Sequence, residues 1–117
     1  MERIVYITLH EKEYPLCCSL GALEEIEHKY GNIEKFGQHV AEVGLYIDAL
    51  AILMKYGAAR VKRHTGDDVE YLTREDIAED LGYEDIQNIS DKVWETMSLS
   101  MKNEIAGKSK SKKKSGQ

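Results

Sequence analysis

The sequence predicts an α+β fold that is mostly α, with an N-terminal β-hairpin packed on a bundle of about four to five helices. Two short extended runs come first, and apolar residues at helical spacing, separated by capping residues, fill most of the remainder. The 117 residues are 42% hydrophobic and include one proline, which favours a single folded core. We expect one domain over 1–106 and a disordered Lys-rich tail over 107–117.

The hairpin is predicted from two neighbouring runs. Residues 3–9 alternate between two faces, and Tyr14 to Cys18 form a second extended run after the polar link at 10–13. Pro15 has no amide hydrogen, so its strand must lie at an edge or turn that position outward. Because two strands alone are only marginally stable, we expect the hairpin to pack on helices.

The next segment, "SLGALEEIEHKYG" (19–31), predicts a capped helix. Ser19 is suited to cap its start and Gly31 to end it. Its apolar residues recur at helical spacing and are Leu20, Leu23, Ile26 and Tyr30. A short helix around 33–36 is expected to follow.

A long helix is predicted over 38–59. One apolar stripe, which we assign to the core, contains Val40, Val43, Ile47, Leu50 and Met54. The opposite side carries Leu45, Tyr46, Ala49, Leu53 and Tyr56. Apolar surface on two sides indicates a central helix or a helix that also contacts a partner.

Asp48 interrupts the apolar surface of this helix with a carboxylate. A carboxylate at that position could be partly buried. The narrow polar edge that it shares with Gly44 and Lys55 favours a position that faces solvent.

Two more helices are predicted after a polar loop at 60–71. Thr73 to Asp76 has the pattern of a capping box, and a short apolar face then ends at Gly82. Ser90 is suited to cap the last helix. One face of that helix carries Val93, Trp94, Met97, Met101 and Ile105, which indicates a core contact or an adaptable contact surface.

The net charge of −5 divides unevenly along the chain. Five of the 16 basic residues lie in the last ten positions, which leaves 11 basic against 21 acidic residues before them. Ten of the acids lie in the segment from Asp67 to Asp91. This segment is either a solvated face or a docking surface for a basic partner. An acidic body repels phosphate backbones, so we do not expect it to bind nucleic acid.

Neither export nor membrane insertion is expected. The N-terminus lacks an apolar signal core, and the run from Gly44 to Met54 is too short to span a bilayer. Cys17 and Cys18 are adjacent, which disfavours a mutual disulfide, and no other cysteine is present. A reducing compartment is the expected location.

No catalytic residue, cofactor or metal site is predicted. Gly107-Lys108-Ser109 lacks the upstream glycine and the preceding strand of a phosphate-binding loop. The four histidines, His10, His28, His39 and His64, fall in different elements without metal-ligand spacing. Because no nucleophile, base and oxyanion site assemble, we expect that the chain is not an enzyme.

A helix-turn-helix DNA-binding regulator is the alternative class. Residues 72–86 resemble the first helix and turn of that motif, where Ala78 and Gly82 would allow close packing. The segment that would enter the groove, 83–94, carries acids and amides before Lys92. Its negatively charged side chains would be repelled by the DNA phosphates.

The order of features resembles the small tail assembly chaperones of long-tailed bacteriophages and related prophages. The resemblance covers about residues 3–105 and depends on order and spacing rather than on a catalytic signature. The matching segments are "KEYPL" (12–16), "SLGALEEIEHKYG" (19–31), "LYIDALAILMKYGAAR" (45–60) and "TGDDVEYLTREDIAEDL" (65–81), before a terminal helix that ends near Met101.

The resemblance implies a non-enzymatic assembly factor. Such chaperones bind the long, largely helical tape-measure protein in the cytoplasm of the bacterial host, keep it from aggregating, and are not part of the finished virion. They tend to self-associate, and many have a longer frameshifted form that recruits tail-tube protein. Lys112 to Lys114 would be encoded by an adenine-rich stretch of the kind on which ribosomes slip. A tail that only increases solubility would have the same sequence, so this alternative stays open.

Four apolar residues are the predicted partner contacts. They lie on the long helix opposite the stripe assigned to the core, and they are Leu45, Tyr46, Leu53 and Tyr56. An exposed apolar helix face of this kind would suit reversible cover of another helix.

Overall fold

The computed structural model describes the backbone of residues 3–100 and all their side chains except those of 33 and 34. Its strands are β1 (Val5–Leu9) and β2 (Lys12–Leu16). Its helices are α1 (Leu20–Tyr30), α2 (Ile33–Gly37), α3 (Val43–Thr65), α4 (Arg74–Asp80), a 3-10 turn (Tyr83–Asp85) and α5, helical over 86–100. The α+β, mostly helical architecture is confirmed. The domain end at 106 and the tail at 107–117 lie outside the described residues.

The hairpin is antiparallel and tight. Val5 pairs with Leu16 and Leu9 with Lys12, so only His10 and Glu11 remain as the turn. Both have positive φ, 48° and 70°, which matches the twist of a two-residue hairpin. The predicted second strand is therefore shifted: it starts at Lys12 and ends at Leu16 rather than Cys18.

The hairpin packs directly on α3. The backbone nitrogen of Cys17 donates a 3.0 Å hydrogen bond to the carbonyl of Leu53. Gly57 lies so close to β2 that an added Cβ would be 2.0 Å from the carbonyl oxygen of Pro15. The absent side chain of this glycine thus lets a strand and a helix meet backbone to backbone.

Helix α1 begins and ends where the sequence predicts. The Ser19 side chain accepts a hydrogen bond from the Ala22 amide, and Gly31 follows the helix with φ of 78°. Ile26 of the predicted stripe is buried, but Leu20 is 80% exposed. Leu20 is therefore not a core residue, although the next residue, Gly21, lies close to Tyr56 of α3.

Helix α3 is the central helix, and its predicted bounds need correction. Residues 38–41 are turns, Glu42 is the extended N-cap, and 60–65, predicted as loop, are helical. Val61 is buried and extends the packed face. The helix stops at Gly66, whose φ of 81° is the left-handed conformation typical of a helix end.

The C-terminal elements cross α3. Thr73 and Asp76 form the predicted capping box of α4. Helix α5 begins at 86, before Ser90, because the 3-10 turn leads straight into it. Val93 and Met97 are buried, and the Trp94 indole donates to the Tyr46 hydroxyl at 3.2 Å, while Met101 and Ile105 lie outside the described residues.

Candidate functional site

The four predicted partner contacts do not form an exposed surface. Leu45 and Leu53 are fully buried, Tyr46 is 8% exposed, and Tyr56 is half-buried. The Tyr46 hydroxyl is also occupied, since it donates to the Val40 carbonyl at 2.8 Å. The expectation that these residues lie opposite the core is therefore wrong, because the hairpin, α1 and α5 cover this side of α3.

The exposed apolar surface lies instead on residues predicted to be core. Val43, the first residue of α3, is 54% exposed, and Ile47 one turn later is partly exposed. Both line a groove of about 210 Å³ between α3, α4 and the start of α5. The other lining residues are Ile77, Ala78, Leu81, Gly82, Tyr83, Ile86 and Ile89.

Tyr83 is the most exposed large residue of this groove, at 87%. It stands on the 3-10 turn that joins α4 to α5, so its backbone is fixed by helices on both sides. The exposed side chains of Val43 and Tyr83 beside this apolar groove make it a candidate contact surface for another molecule. In the sequence, only the short apolar face before Gly82, formed by Ile77, Ala78 and Leu81, indicates one wall of this groove.

The α4 wall of the groove is held by Asp48. Arg74 donates to Oδ1 of this carboxylate at 2.5 Å, and the Tyr30 hydroxyl donates to Oδ2 at 2.5 Å. Lys29 adds a weaker ion pair at 3.7 Å. The prediction that Asp48 faces solvent is wrong: it is 8% exposed, because three partners from other elements compensate its charge.

The same network shifts the pKa values of Tyr30 and Asp48. Burial raises the pKa of Tyr30 to about 12, with help from its hydrogen bond to the Asp48 carboxylate. Burial acts to raise the pKa of Asp48 as well, but the hydrogen bonds from Tyr30 and Arg74 and the charge of Lys29 outweigh it, so that this pKa is lowered. Asp48 is thus a charged structural link at neutral pH.

Carboxylates border the groove at Gly82. An added Cβ at Gly82 would be 2.6 Å from both carboxylate oxygens of Glu84, and Oδ2 of Asp85 accepts from the Gly82 amide at 3.0 Å. We call Glu84 and Asp85 the acidic rim. The surrounding segment, 75–91, contains seven acids and neither lysine nor arginine. The groove is therefore apolar inside and negative around it.

A second cavity, of about 650 Å³, carries the opposite charge. It lies between the start of α1 and the C-terminal parts of α3 and α5, and its lining includes Arg3, Arg60, Arg63 and His64. The sequence gives no sign of this cluster, because Arg3 is distant from the others along the chain. The cavity is bordered by both Arg3 and Ser100, next to the two ends of the described chain.

The cysteines and histidines do not assemble a reactive site in the described part of the chain. Cys17 and Cys18 are buried free thiols; burial raises both pKa values, that of Cys18 to about 11. Such thiols are poor nucleophiles. Residues 3–100, as described, contain no cluster of three His, Cys, Asp or Glu side chains that could hold a metal ion.

Among the described residues, no helix has the length and apolar character needed to cross a membrane. Comparisons with family models, with curated proteins and with solved structures gave no match.

Proposed function

We propose that this protein is a tail assembly chaperone of a long-tailed phage or prophage, which binds and solubilises the tape-measure protein during tail morphogenesis. It acts in the cytoplasm of the bacterial host and is absent from the finished virion. A longer frameshifted form, if the gene encodes one, recruits tail-tube protein. The order of sequence segments supports the family, and the exposed apolar groove supports the activity.

The groove is the observation that carries the proposal. Its volume, about 210 Å³, lies below the range of roughly 300–1,000 Å³ that is usual for small-molecule sites. It suits a few apolar side chains of a helix better than a cofactor or substrate. A protein that shields apolar helices needs such a surface.

The groove is also preformed. Asp48 holds α4 against α3 through Arg74, and the Thr73 capping box fixes the start of α4. A rigid site loses little conformational entropy when it binds, so weak contacts suffice for reversible association. Reversibility is what a chaperone requires, because its client must later be released to the assembling tube.

Co-expression with the tape-measure protein tests the proposal. The partner to use is the product of the long reading frame immediately downstream of the gene. We expect this partner to remain soluble with the wild-type chain and to aggregate with the Ala78→Arg variant, whose guanidinium would occupy the groove. The matched control is Glu79→Arg, an exposed position on the far side of the same helix.

Two results would reject the proposal. One is a tape-measure protein that aggregates equally with and without the wild-type chain. The other is sequence-specific binding of duplex DNA at low salt that is lost when residues 84–92 are substituted, since this would establish a helix-turn-helix regulator.

A further inference from the structure

Resting on the proposed function, we propose that the groove selects a particular kind of client segment. That segment is an amphipathic helix whose apolar stripe is flanked by lysine or arginine. The selection arises from the acidic rim, Glu84 and Asp85, beside an apolar floor.

The shape of the groove specifies a helix. Its walls come from α3, α4, the 3-10 turn and the start of α5, and its floor is formed by aliphatic side chains such as Ile47, Ile77 and Ile86. Among the residues that the structure describes, none of those lining the groove is charged. Side chains at helical spacing on a partner would enter such a groove, while the flanks of that partner would remain outside.

The negative charge around the groove favours a partner helix with basic residues on both sides of its apolar stripe. Glu84 and Asp85 meet at Gly82, inside the lining, and the nearest basic residue on α4, Arg74, is engaged with Asp48. The side chain of Asp85 is only 16% exposed and contacts His10 at 3.5 Å, so the exposed Glu84 is the carboxylate that a partner would meet directly. A docking helix would thus bring its flanks close to carboxylates. Lysine or arginine on those flanks would be attracted to the carboxylates, because Coulomb energy is substantial between charges a few ångströms apart.

The same charges exclude the other occupants that the chain itself offers. A second copy docked groove to groove would place two acidic rims against each other. The Lys-rich tail has the right charge, but "GKSKSKKKSGQ" (107–117) contains no apolar residue to fill the groove. A basic amphipathic helix of another protein satisfies both conditions.

Two designed peptides test this inference on the full-length protein. They share one stripe of leucines at helical spacing and differ only in their flanks, which are lysine in one and glutamate in the other. We expect the lysine peptide to bind at least about tenfold more tightly at low salt, measured by fluorescence anisotropy. Because rim charges are screened, this preference should shrink to about twofold at 0.5 M salt.

Variants localise the effect. Glu84→Lys should weaken binding of the lysine peptide about five- to tenfold and reverse part of the preference. Ala78→Arg should abolish binding of both peptides. Glu79→Lys makes the same change in net charge on the far side of α4 and should alter binding less than about twofold. Circular dichroism on each variant establishes that the fold is retained.

The outcomes separate this inference from the proposed function. If the chain solubilises the tape-measure protein but binds both peptides equally, selection by charge is wrong while the chaperone function stands. If the lysine peptide binds in the groove but the tape-measure protein is not solubilised, the function fails and the groove chemistry stands. Replacing Lys112, Lys113 and Lys114 by glutamine should not change affinity. A rise in affinity would instead identify the tail as the occupant, and dimerisation strengthened by Glu84→Lys would identify a second copy.

Discussion

Arg74 donates a hydrogen bond from Nε to Oδ1 of Asp48, 26 residues earlier in the chain, at 2.5 Å. The Tyr30 hydroxyl completes the arrangement on Oδ2, so one carboxylate joins α1, α3 and α4. Because α4 forms one wall of the groove, this buried carboxylate supports the candidate site without lining it. Its protonation therefore affects both stability and the shape of the groove.

Asp48→Asn should destabilise the protein by about 2 kcal/mol at neutral pH, because Arg74 and Tyr30 lose a charged acceptor. The lowered pKa of Asp48 also predicts a pH dependence. The stability that Asp48 contributes is present above its unfolded pKa, near 3.9, and is lost as pH falls through the lower folded pKa. Urea unfolding between about pH 6 and pH 2 should show a smaller acid-induced loss in Asp48→Asn than in the wild type.

Asp68→Asn is the control for this experiment. Asp68 also pairs with a lysine, Lys62, but its side chain is well exposed. Because this ion pair is exposed to solvent, its removal should leave the free energy of unfolding nearly unchanged. An Asp48→Asn variant with the same acid-induced loss as the wild type would show that Asp48 is not linked to folding.

Gly57→Ala should destabilise the protein by about 3 kcal/mol. The new Cβ would be 2.0 Å from the carbonyl oxygen of Pro15, a backbone atom that cannot move aside without displacing the hairpin. Thermal unfolding followed by circular dichroism measures the effect. Unchanged stability would mean that β2 and α3 do not meet at Gly57.

Gly44→Ala is the matched substitution in the same helix. No atom of the described residues lies within 4 Å of a Cβ at Gly44, so the change adds helix propensity without a clash. It should stabilise the protein by about 0.5 kcal/mol. The two glycines are thus expected to respond with opposite signs.

Leu53→Asp should prevent folding, whereas Leu20→Asp should be tolerated. Leu53 is fully buried, and an unpaired carboxylate there should cost more than about 4 kcal/mol. Leu20 is 80% exposed at the first position of α1, where a negative charge interacts favourably with the helix dipole. Far-UV circular dichroism and soluble yield distinguish the two outcomes; a folded Leu53→Asp variant would return this residue to the candidate contact surface.

Local signals accounted for the parts of the fold that depend on neighbouring residues. Ser19 and the Thr73 capping box fixed helix starts, because a cap is a hydrogen bond to an amide three residues away. The alternation of residues in β1 also predicted a strand, because one face of the strand is covered by the core and the other is exposed. Such features need no knowledge of the rest of the chain.

The assignment of faces on α3 required tertiary information. Both sides of this helix are apolar, and only the positions of the hairpin and α5 decide that Leu45 is covered while Val43 is exposed. The sequence pattern predicted that Asp48 lies on the surface, because its partners, Tyr30 and Arg74, are 18 and 26 residues away along the chain. The groove joins residues from Val43 to Ile89, so no local pattern could reveal it.

Cys17 and Cys18 should be unreactive in the native protein and reactive once it is unfolded. Both thiols are buried, and at about pH 8 a group with the pKa of Cys18, about 11, is ionised in only about one molecule in a thousand. Aromatic disulfide reagents should therefore modify less than about a tenth of the thiols in the time that they need to modify both in denaturant. A Ser98→Cys variant provides the positive control, because position 98 is exposed on α5. Rapid modification of wild-type protein under native conditions would show that the segment between β2 and α1 opens, since reagent can reach these thiols only if that segment separates from α3 and α5.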